Sequence, residues 1–257
     1  MIKRKWSRDA RWQEIKQQLE SQPVIQISEL ASYFEVSVET VRRDIDEMAT
    51  RGMVVRTHGG AANAKTASEP TLLQRSEVLI EERKKISLAA LPKVNNGDVL
   101  MIDASATCVH FGRLLAKERE SLTVITNSFS VAEAVACNQT FTTLILPGIF
   151  NAHENASYGG SALEFLQRYQ ADHCFSSCGA LTSGGPTEVD TEVACLKRAI
   201  IQRSRLTTLL IDHSKLCSGK LETVCPLSQL DEVICDITPT EEIQSALEQA
   251  SVKLYVL

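Results

Sequence analysis

A chain of 257 residues, with 44% apolar and 23% charged residues, is long enough for more than one folded domain and has the composition of an ordinary globular protein. Its formal charge of -5 gives no overall basicity that would indicate a nucleic-acid partner, and no apolar run reaches the roughly 18 residues needed to cross a bilayer. Residues 1–6 lack the apolar core of a signal peptide, so we expect a cytoplasmic protein.

The charges are distributed unevenly along the chain. Residues 1–60 hold ten basic and nine acidic residues, a net charge of +1, whereas the remainder has a net charge of -6. Five of these basic residues fall within the first eleven positions, namely Lys3, Arg4, Lys5, Arg8 and Arg11. A basic arm on an acidic protein indicates a polyanionic partner, although an ordinary solvated tail would have the same composition.

The first 60 residues predict three helices followed by a strand. The first helix extends over 8–20, Ser28 is predicted to cap the second, and Ser37 caps the third, which runs to about Arg51. The residues predicted to face the core are Trp12, Ile15 and Leu19, then Leu30, Ala31 and Phe34, then Val38, Val41, Ile45 and Met48. Two helices joined by a tight turn, with the second one capped, indicate a helix-turn-helix.

The outer face of the third helix is polar and basic. With about 100° of rotation per residue, Arg43 lies about 200° from Val41, and Glu39 and Thr40 lie within about 60° of Arg43. Arg42 flanks this face. A cation and short polar residues near the N-terminal end of a protruding helix suit base edges and phosphates in a major groove. A solvated helix in which Arg43 pairs with an acidic residue one turn away would have the same pattern.

A short strand and a glycine turn follow this helix. Gly52 ends the helix, residues 53–56 are predicted to form the strand, and the turn at 56–60 lets the backbone approach a phosphate closely. The complete predicted DNA-binding set is Ser37, Glu39, Thr40, Arg42, Arg43, Arg56, His58, Gly59 and Gly60. We therefore predict a winged helix-turn-helix domain over 1–60, a linker at 61–68, and a connecting helix over 69–91.

From Val99 onward, short apolar strands alternate with helices. The predicted strands are "VLMID", "LTVITN", "TTLILPG", "CFSSCGAL", "TTLLID", "EVICD" and "VKLYVL". Strands of this kind indicate a mostly parallel sheet covered by helices on both faces, and ligands of such sheets lie beyond the carboxyl ends of the strands. We predict an α/β domain over 92–257 with its ligand site at that edge.

The eight cysteines contain no CxxC pair and lie mostly in apolar stretches. In a chain without a secretion signal they are expected to be reduced and mostly buried thiols. Cys174 and Cys178 are four residues apart, but a structural zinc site needs four ligands at tighter spacing, so we expect no metal and no cofactor.

The stretch "SVETVRRDIDEMATRGMVVRTHGGA", residues 37–61, resembles the N-terminal signature of the DeoR family of bacterial sugar-metabolism repressors. In that family a winged helix-turn-helix contains S-x-x-T-[VI]-R-R-D-[IL] and ends in R-x-H-G-G-A. The resemblance continues through "YGGSALEFL", "CGALTSGG" and "LLIDHSKL", so it covers almost the whole chain. It implies binding to double-stranded operator DNA, and we expect a dimer or tetramer that places two recognition helices on an inverted repeat. It also implies a larger domain that resembles ribose-5-phosphate isomerase and glucosamine-6-phosphate deaminase and senses a phosphorylated sugar or related metabolite.

The predicted effector site begins where the strand ending at Asp103 meets a helix. Ser105 and Thr107 lie at the start of that helix, where hydroxyls and free backbone N–H groups bind phosphate, although a simple helix cap would use the same residues. Ser105 and Ala106 stand where the family has a glycine and a hydroxyl residue, and a serine is strained if that glycine has a positive φ.

The resemblance implies further effector-binding residues at strand ends and helix starts. Together with those above, the predicted set is Asp103, Ser105, Thr107, Asn127, Gly179, Glu192, Lys197 and Lys215. Capping and surface charge would equally explain Glu192 and Lys197, and an ion pair with Asp212 would explain Lys215.

An enzyme on the same scaffold, a sugar-phosphate isomerase or deaminase, is the alternative function. Asp103, Glu192 and Lys197 would then exchange protons, with His213 as a proton carrier. Two features disfavour it. The stretch "SSCGALTSGG" stands where such an enzyme would have D-G-[AS]-D, and we expect no carboxylate near it. An isomerase also has no use for a DNA-reading domain. We therefore predict a transcriptional regulator and not an enzyme.

Overall fold

The computed structural model describes residues 6–21, 24–51, 53–57, 60–63 and 70–257. The chain divides into two compact units, Met1–Pro70 and Thr71–Leu257. We refer to them as the N-terminal unit and the sensor unit.

The N-terminal unit is a helix-turn-helix with a three-stranded sheet. Its elements are α1 (Arg8–Ser21), β1 (Val24–Gln26), α2 (Ile27–Phe34), α3 (Val38–Thr50), β2 (Val54–Thr57) and β3 (Gly60–Asn63). The strands are antiparallel in the order β1-β3-β2. Glu35 ends α2 in the left-handed conformation (φ 52°), and Ser37 caps α3, so a tight turn joins the two helices as predicted.

The apolar faces of the three helices form one core. The predicted inward residues are buried, with Ile15, Leu30, Val41, Ile45 and Met48 each 0% exposed. Val38 is the exception, because it is 45% exposed. It is the first residue of α3, and a side chain there is directed back over the preceding turn instead of into the core.

The start of α2 differs from the prediction that Ser28 caps it. The N-cap is Gln26, which is the last residue of β1 and has an extended backbone (φ -78°, ψ 140°). The Glu29 carboxylate accepts a hydrogen bond from the Gln26 backbone N–H at 3.4 Å. Ser28 is exposed in the first turn, since the strand runs directly into the helix.

The predicted linker begins later than Ala61. Residues 60–63 form β3, the middle strand of the small sheet, and Ala61 is 0% exposed in the N-terminal core. These residues were interpreted as the start of a linker, but β3 pairs with β1 on one side and with β2 on the other. Of the predicted linker, residues 64–68 lie outside the described residues.

A buried ion pair joins α1 to α3. The Arg11 guanidinium donates hydrogen bonds to the Asp44 carboxylate at 2.7 and 3.1 Å, and the Trp12 Nε1–H donates to the same carboxylate at 3.3 Å. Removing one partner of such a pair leaves an uncompensated buried charge, which costs about 3–5 kcal/mol. Asp44, which lies between the two core residues Val41 and Ile45 in sequence, therefore fixes the helix that carries Arg43.

The sensor unit begins with two helices, not with the single helix predicted over 69–91. Thr71 caps α4 (Leu72–Ser76), and α5 (Ile80–Ala90) follows after Leu79, whose φ is 54°. A left-handed residue ends a helix, so the apolar periodicity is interrupted there. A 3-10 turn over Leu91–Lys93 completes the segment.

The core of the sensor unit is a seven-stranded parallel sheet. Its strands are β4 (Val99–Ile102), β5 (Thr123–Thr126), β6 (Thr142–Ile145), β9 (Ala171–Ser176), β12 (Ser204–Ile211), β14 (Glu232–Cys235) and β15 (Lys253–Val256). They lie in the order β15-β14-β12-β9-β4-β5-β6, and every neighbouring pair is parallel. The strand order reverses between β4 and β9, and ligands of such sheets bind at this reversal.

Helices and small antiparallel sheets surround the main sheet. The helices are α6 (Ala106–Glu118), α7 (Phe129–Ala136), α8 (Gly160–Leu166), α9 (Thr191–Gln202) and α10 (Glu241–Gln249). The remaining strands are β7 (Ile149–Asn151) and β8 (Ala156–Tyr158), which form a hairpin, and β10 (Ala180–Thr182), β11 (Gly185–Glu188) and β13 (Glu222–Thr223). Buried apolar residues form one cluster on each face of the main sheet.

The predicted single strand "CFSSCGAL" is two strands, β9 and β10. The backbone leaves the main sheet after Ser176, where the Ser177 N–H donates to the Asp103 carboxylate at 3.0 Å. The Gly179 N–H then donates to the Thr187 carbonyl at 2.9 Å. The turn between the strands thus lies at the carboxyl edge of the sheet.

Three structural properties bear on the sequence interpretation. All eight cysteines are free thiols. Within the described ranges, no cluster of three or more His, Cys, Asp and Glu side chains is arranged to hold a metal ion. Over the same part of the chain, none of the helices has both the length and the apolar character required to cross a membrane.

Candidate functional site

The outer face of α3 presents two arginines of the predicted DNA-binding set, Arg42 and Arg43, to solvent. The Arg43 side chain is 79% exposed and that of Arg42 is 48% exposed. Both contact Glu39, at 3.3 Å from Arg43 Nε and 3.0 Å from Arg42 Nη1. Exposed pairs of this kind contribute about 0–1 kcal/mol, so a phosphate or a base edge can replace Glu39 at little cost.

The N-terminal turn of α3 is held by its cap. The Ser37 hydroxyl accepts a hydrogen bond from the Thr40 backbone N–H at 3.2 Å and lies 2.8 Å from the Thr40 hydroxyl. The cap therefore fixes the end of the helix from which Glu39, Thr40 and Arg43 project.

The wing is the hairpin of β2 and β3. Arg56 lies in β2, and Gly60 begins β3 opposite Thr57. His58 and Gly59 were predicted to contact DNA, and both lie outside the described residues.

The sensor unit gathers buried charges at the reversal between β4 and β9. Asp103 follows β4, and its Oδ2 accepts hydrogen bonds from the Ser176 hydroxyl at 2.6 Å and from the Ser177 N–H at 3.0 Å. Lys197 Nζ lies 3.1 Å from the same oxygen. The two strands are thus joined at their carboxyl ends by Asp103.

Lys197 lies between two carboxylates. Its ammonium donates to the Ser177 carbonyl at 2.8 Å and to Glu188 Oε1 at 2.5 Å, in addition to its pair with Asp103. Burial opposes the charged form, but the negative charges of Asp103 and Glu188 outweigh it, and the pKa of Lys197 lies well above its ordinary value. Lys197 is accordingly a permanent cation. It lies in the middle of α9, not at the start of the helix as predicted.

Glu188 is a site residue that the sequence did not reveal. It ends β11, is 5% exposed, and reaches Lys197 from the small antiparallel sheet. The expectation that no carboxylate lies near "SSCGALTSGG" is therefore wrong, because Asp103 and Glu188 both approach it. No local pattern marks Glu188, since its role depends on where β11 lies.

Asn127 and Tyr158 lie beside this cluster. Asn127 follows β5, is 2% exposed, and donates from Nδ2 to the Ser157 carbonyl at 3.2 Å. Burial raises the pKa of the neighbouring Tyr158 phenol well above its ordinary value, so this hydroxyl stays protonated. Tyr158 was not predicted from the sequence.

The first turn of α6 contains the two hydroxyl residues of the predicted set. Ser105 is its N-cap and accepts from the Cys108 N–H at 3.1 Å, and Thr107 is 2% exposed. The φ of Ser105 is -145°, an extended conformation that serine adopts without strain. The replacement of a glycine by Ser105 therefore leaves the helix start intact.

Gly179 lies at the other side of the cluster, in a place where a side chain would be crowded. A Cβ there would lie 3.1 Å from the Thr187 carbonyl oxygen and 3.2 Å from Glu188 Oε2. A larger residue would displace the carboxylate that holds Lys197. Gly179 thus shapes the site by its size.

Two predicted effector residues lie apart from the buried cluster. Glu192 is exposed in the first turn of α9, next to the helix cap Asp190. Lys215 is half-buried in the 3-10 turn after β12. Burial raises the pKa of the Cys178 thiol, and the positive charge of Lys215 is among those that oppose this, which places Lys215 near the turn between β9 and β10.

Asp212 pairs with Arg83 rather than with Lys215. Arg83 Nη2 lies 3.1 Å from the Asp212 carboxylate, and the two side chains are 3% and 0% exposed. Arg83 Nη1 donates to the carbonyls of Val78, at 2.7 Å, and of Arg75. One arginine of α5 therefore holds both the break between α4 and α5 and the end of β12.

A second ion pair attaches α4 to the β7–β8 hairpin. Arg75 Nη2 lies 2.5 Å from Glu154 Oε2, and the Leu72 N–H donates to the His153 carbonyl at 2.9 Å. Burial alone would raise the pKa of Glu154, but the hydrogen bond and charge of Arg75 outweigh it, so this pKa lies below its ordinary value. The first helix of the sensor unit is thus tied to the same edge of the sheet as the buried cluster.

Two family models match the chain. The DeoR-like helix-turn-helix domain matches residues 11–67, and the DeoR C terminal sensor domain matches residues 79–237. The chain is 30% identical to the L-fucose operon activator of Haemophilus influenzae over 91% of this chain and 94% of the relative. It is 27% identical to the glycerol-3-phosphate regulon repressor of Escherichia coli over 92% and 94%.

A solved structure of a D-ribose-5-phosphate isomerase in complex with phospho-erythronic acid is similar to part of the chain. It has a TM-score of 0.40 and 13% sequence identity, and the similarity covers 53% of each chain. The two relatives named above are regulators and not isomerases.

Proposed function

The chain belongs to the DeoR family of helix-turn-helix transcriptional regulators, and from this premise we propose that it represses a carbohydrate-utilisation operon in the cytoplasm and is released from its operator by a phosphorylated sugar or related metabolite. The observation that supports this most directly is the exposed basic face of α3 in a chain that also has a buried polar cluster at the reversal of a parallel sheet. The first feature binds DNA, and the second binds the effector.

Operator recognition is assigned to α3 and the wing. Arg43 and Thr40 enter the major groove, Arg42 and Ser37 contact the phosphates beside it, and Glu39 exchanges its ion pairs for contacts with DNA. Arg56 and Gly60 of the wing, together with His58 and Gly59, are proposed to contact the DNA backbone. A dimer or tetramer of the chain would place two such helices about one helical turn apart on an inverted repeat.

The effector site is assigned to the carboxyl edge of the sheet around Asp103, Thr107 and Asn127. The first turn of α6 offers backbone N–H groups and the Ser105 and Thr107 hydroxyls to an anionic group. Gly179 and Lys197 shape the buried part of this proposed site, and Glu192 and Lys215 lie at its more exposed edge. One relative is named as the L-fucose operon activator and another as the glycerol-3-phosphate regulon repressor. These names agree with a sugar phosphate or related metabolite as the effector.

The experiment is an electrophoretic shift on a duplex selected from a random library by the full-length protein. Arg43→Ala is expected to abolish the specific shift, because a good base contact contributes about 1–3 kcal/mol of discrimination and each phosphate contact adds affinity. The matched control is Arg205→Ala, an exposed arginine of the sensor unit, which is expected to bind as the wild type does.

Release is tested on the same duplex with a panel of sugar phosphates. A member of the panel that raises the thermal unfolding temperature is expected to weaken operator binding by roughly 5–150-fold. Undiminished specific binding by Arg43→Ala would remove the DNA assignment, and a panel without any thermal response would remove the effector assignment.

A further inference from the structure

Lys197 has no hydrogen-bond donor left for a ligand. An ammonium group has three N–H bonds, and three acceptors surround this one: the Ser177 carbonyl at 2.8 Å, Glu188 Oε1 at 2.5 Å and Asp103 Oδ2 at 3.1 Å. The side chain is 7% exposed. Lys197 therefore acts as a positioning residue, which fixes the orientation of the Asp103 carboxylate.

Only one of the two carboxylate oxygens of Asp103 has hydrogen-bond partners. Its Oδ2 accepts from Ser176 and Ser177 and pairs with Lys197, whereas its Oδ1 is buried without a hydrogen-bond partner. The residue as a whole is 1% exposed. A carboxylate oxygen held in this way offers lone pairs to a group that the protein itself does not supply.

Asn127 presents a second such oxygen on the adjacent strand. Its Oδ1 is buried without a partner, while its Nδ2 donates to the Ser157 carbonyl. The opposite orientation of the amide would turn its oxygen towards that carbonyl, so the hydrogen bond fixes which atom is unpaired. The residues before Asp103 and Asn127, Ile102 and Thr126, are register partners, so the two oxygens belong to neighbouring positions at the strand ends.

Within the described ranges, three buried side-chain atoms have no partner: Asp103 Oδ1, Asn127 Oδ1 and His110 Nε2. Two of the three are acceptors at the strand reversal where ligands of parallel sheets bind. Buried polar groups are ordinarily hydrogen-bonded, and exceptions call for a specific explanation. Two unpaired acceptors at neighbouring strand ends suit a ligand that brings donors.

The charge of the cluster determines whether the phosphate or the sugar end of the effector can lie beside Asp103. Asp103 and Glu188 carry two negative charges against the one positive charge of Lys197. A buried environment of this sign disfavours a phosphate and favours hydroxyl or ammonium groups. The phosphate of an effector must therefore lie away from Asp103 Oδ1.

We propose, resting on the proposed function, that Asp103 and Asn127 determine effector specificity by accepting hydrogen bonds from hydroxyl or amino groups on the sugar, with the phosphate directed away from them. The site then selects the non-phosphorylated end of the effector. Deoxy sugars that lack these groups leave both oxygens unpaired and bind weakly.

The test compares matched esters by isothermal titration of the full-length protein. The probes are ribose 5-phosphate and 2-deoxyribose 5-phosphate, glucose 6-phosphate and 2-deoxyglucose 6-phosphate, glucosamine 6-phosphate, and inorganic phosphate. We expect at least one hydroxylated or amino ester to bind about tenfold or more tightly than its deoxy counterpart. Glucosamine 6-phosphate against glucose 6-phosphate distinguishes an amino from a hydroxyl donor.

Asp103→Asn inverts the chemistry of one oxygen without changing its shape. Ser176 and Ser177 both donate to the Oδ2 position, so the amide oxygen of the variant must occupy it, and the NH₂ group then stands where Oδ1 was. An acceptor thereby becomes a donor. The variant is expected to lose the preference for the hydroxylated or amino ester while the operator shift persists.

The matched control is Asp172→Asn, the same substitution on β9 but far from its carboxyl end. Asp172 Oδ2 accepts a hydrogen bond from the Val99 N–H at 2.9 Å. This variant should retain the wild-type order of affinities. Deoxy esters that bind as tightly as their counterparts, or an unchanged preference in Asp103→Asn, would overturn the proposal while leaving the effector function in place. Failure of every ester to bind would remove the proposed function itself, and this inference with it.

Discussion

The guanidinium of Arg83 and the carboxylate of Asp212 form an ion pair of 3.1 Å in which the side chains are 3% and 0% exposed. Arg83 belongs to α5, and Asp212 follows β12, a strand of the central sheet. The two residues are 129 positions apart in the chain. A charge near the start of the sensor unit is thus neutralised at the edge of the sheet where the effector site is proposed.

Arg83→Met is expected to lower the free energy of unfolding of the sensor unit by about 3–5 kcal/mol, because Asp212 would remain buried without a counter-charge. Urea denaturation of the full-length protein, followed by circular dichroism, measures this change. The control is Lys84→Met on the next residue of the same helix, where the pair with Glu81 is exposed to solvent and contributes little to stability. Equal losses in the two variants would contradict the importance of the buried pair.

Glu154→Gln is expected to reduce the effect of the effector on operator affinity. Glu154 holds Arg75 at the start of the sensor unit and belongs to the turn of the β7–β8 hairpin, so it connects α4 to the edge of the sheet. The measurement is the ratio of operator affinities without and with a bound sugar phosphate, by fluorescence anisotropy, and this ratio should fall towards one. Glu118→Gln, at the exposed end of α6, is the control. A full response in Glu154→Gln would exclude this connection.

Glu39→Ala is expected to strengthen non-specific DNA binding several-fold at low salt. The substitution removes a negative charge beside the phosphates and releases Arg42 and Arg43 from their ion pairs. Affinity for an unrelated duplex at several salt concentrations measures the effect. Glu241→Ala, in the first turn of α10, provides the control on the sensor unit. Weaker binding of Glu39→Ala to the unrelated duplex would show that Glu39 is not a local source of repulsion.

The stability of the sensor unit is expected to fall as the pH decreases below about 6.5, in part because of His173. Burial lowers the pKa of His173 below its ordinary value, so as the pH falls the unfolded chain binds a proton before the folded chain does. Protonation therefore stabilises the unfolded state relative to the folded one. His173→Gln should therefore flatten the pH dependence of the unfolding temperature between about pH 6.5 and 5.

His213 affects the pH dependence of stability in the opposite direction to His173. Its hydrogen bond to Asp236 raises the pKa of the exposed imidazole, so its contribution is present below about pH 6.5 and is lost as the pH rises through the folded pKa. His213→Gln should consequently change the profile in the other direction. The same slope in all three proteins would contradict both assignments.

The sequence was sufficient where structure follows from local pattern. The helices at 191–202 and 241–249 follow from local pattern, because each has apolar residues at helical spacing and a capping residue before its first turn, Asp190 and Thr240. The helix-turn-helix and the parallel sheet were also predicted, the first from its capped helices and the second from its alternating strands. The errors lie at ends and breaks, as with Val38, Ser28 and Ala61.

Local sequence patterns could not predict the contacts inside the candidate site. Glu188 and Arg83 act through partners that only the folded chain brings near, and a charged residue has no periodicity that marks it for burial. Glu192 lies at the start of a helix next to the sheet edge, but it is exposed and outside the buried cluster, which its position in the sequence did not indicate. A family motif gives positions but not contacts, so it did not show that the Lys197 ammonium lies against Ser177, Glu188 and Asp103.

The pairing of β4 with β9 has a consequence for the order in which the molecule is made. Asp103 and Ser176, which meet at the effector cluster, are 73 residues apart, and β5 and β6 are synthesised between them. Parallel pairing across such a separation forms slowly, because the loop between the strands must be closed before their contacts are gained. A nascent chain on the ribosome can thus complete its N-terminal unit well before it can respond to any metabolite.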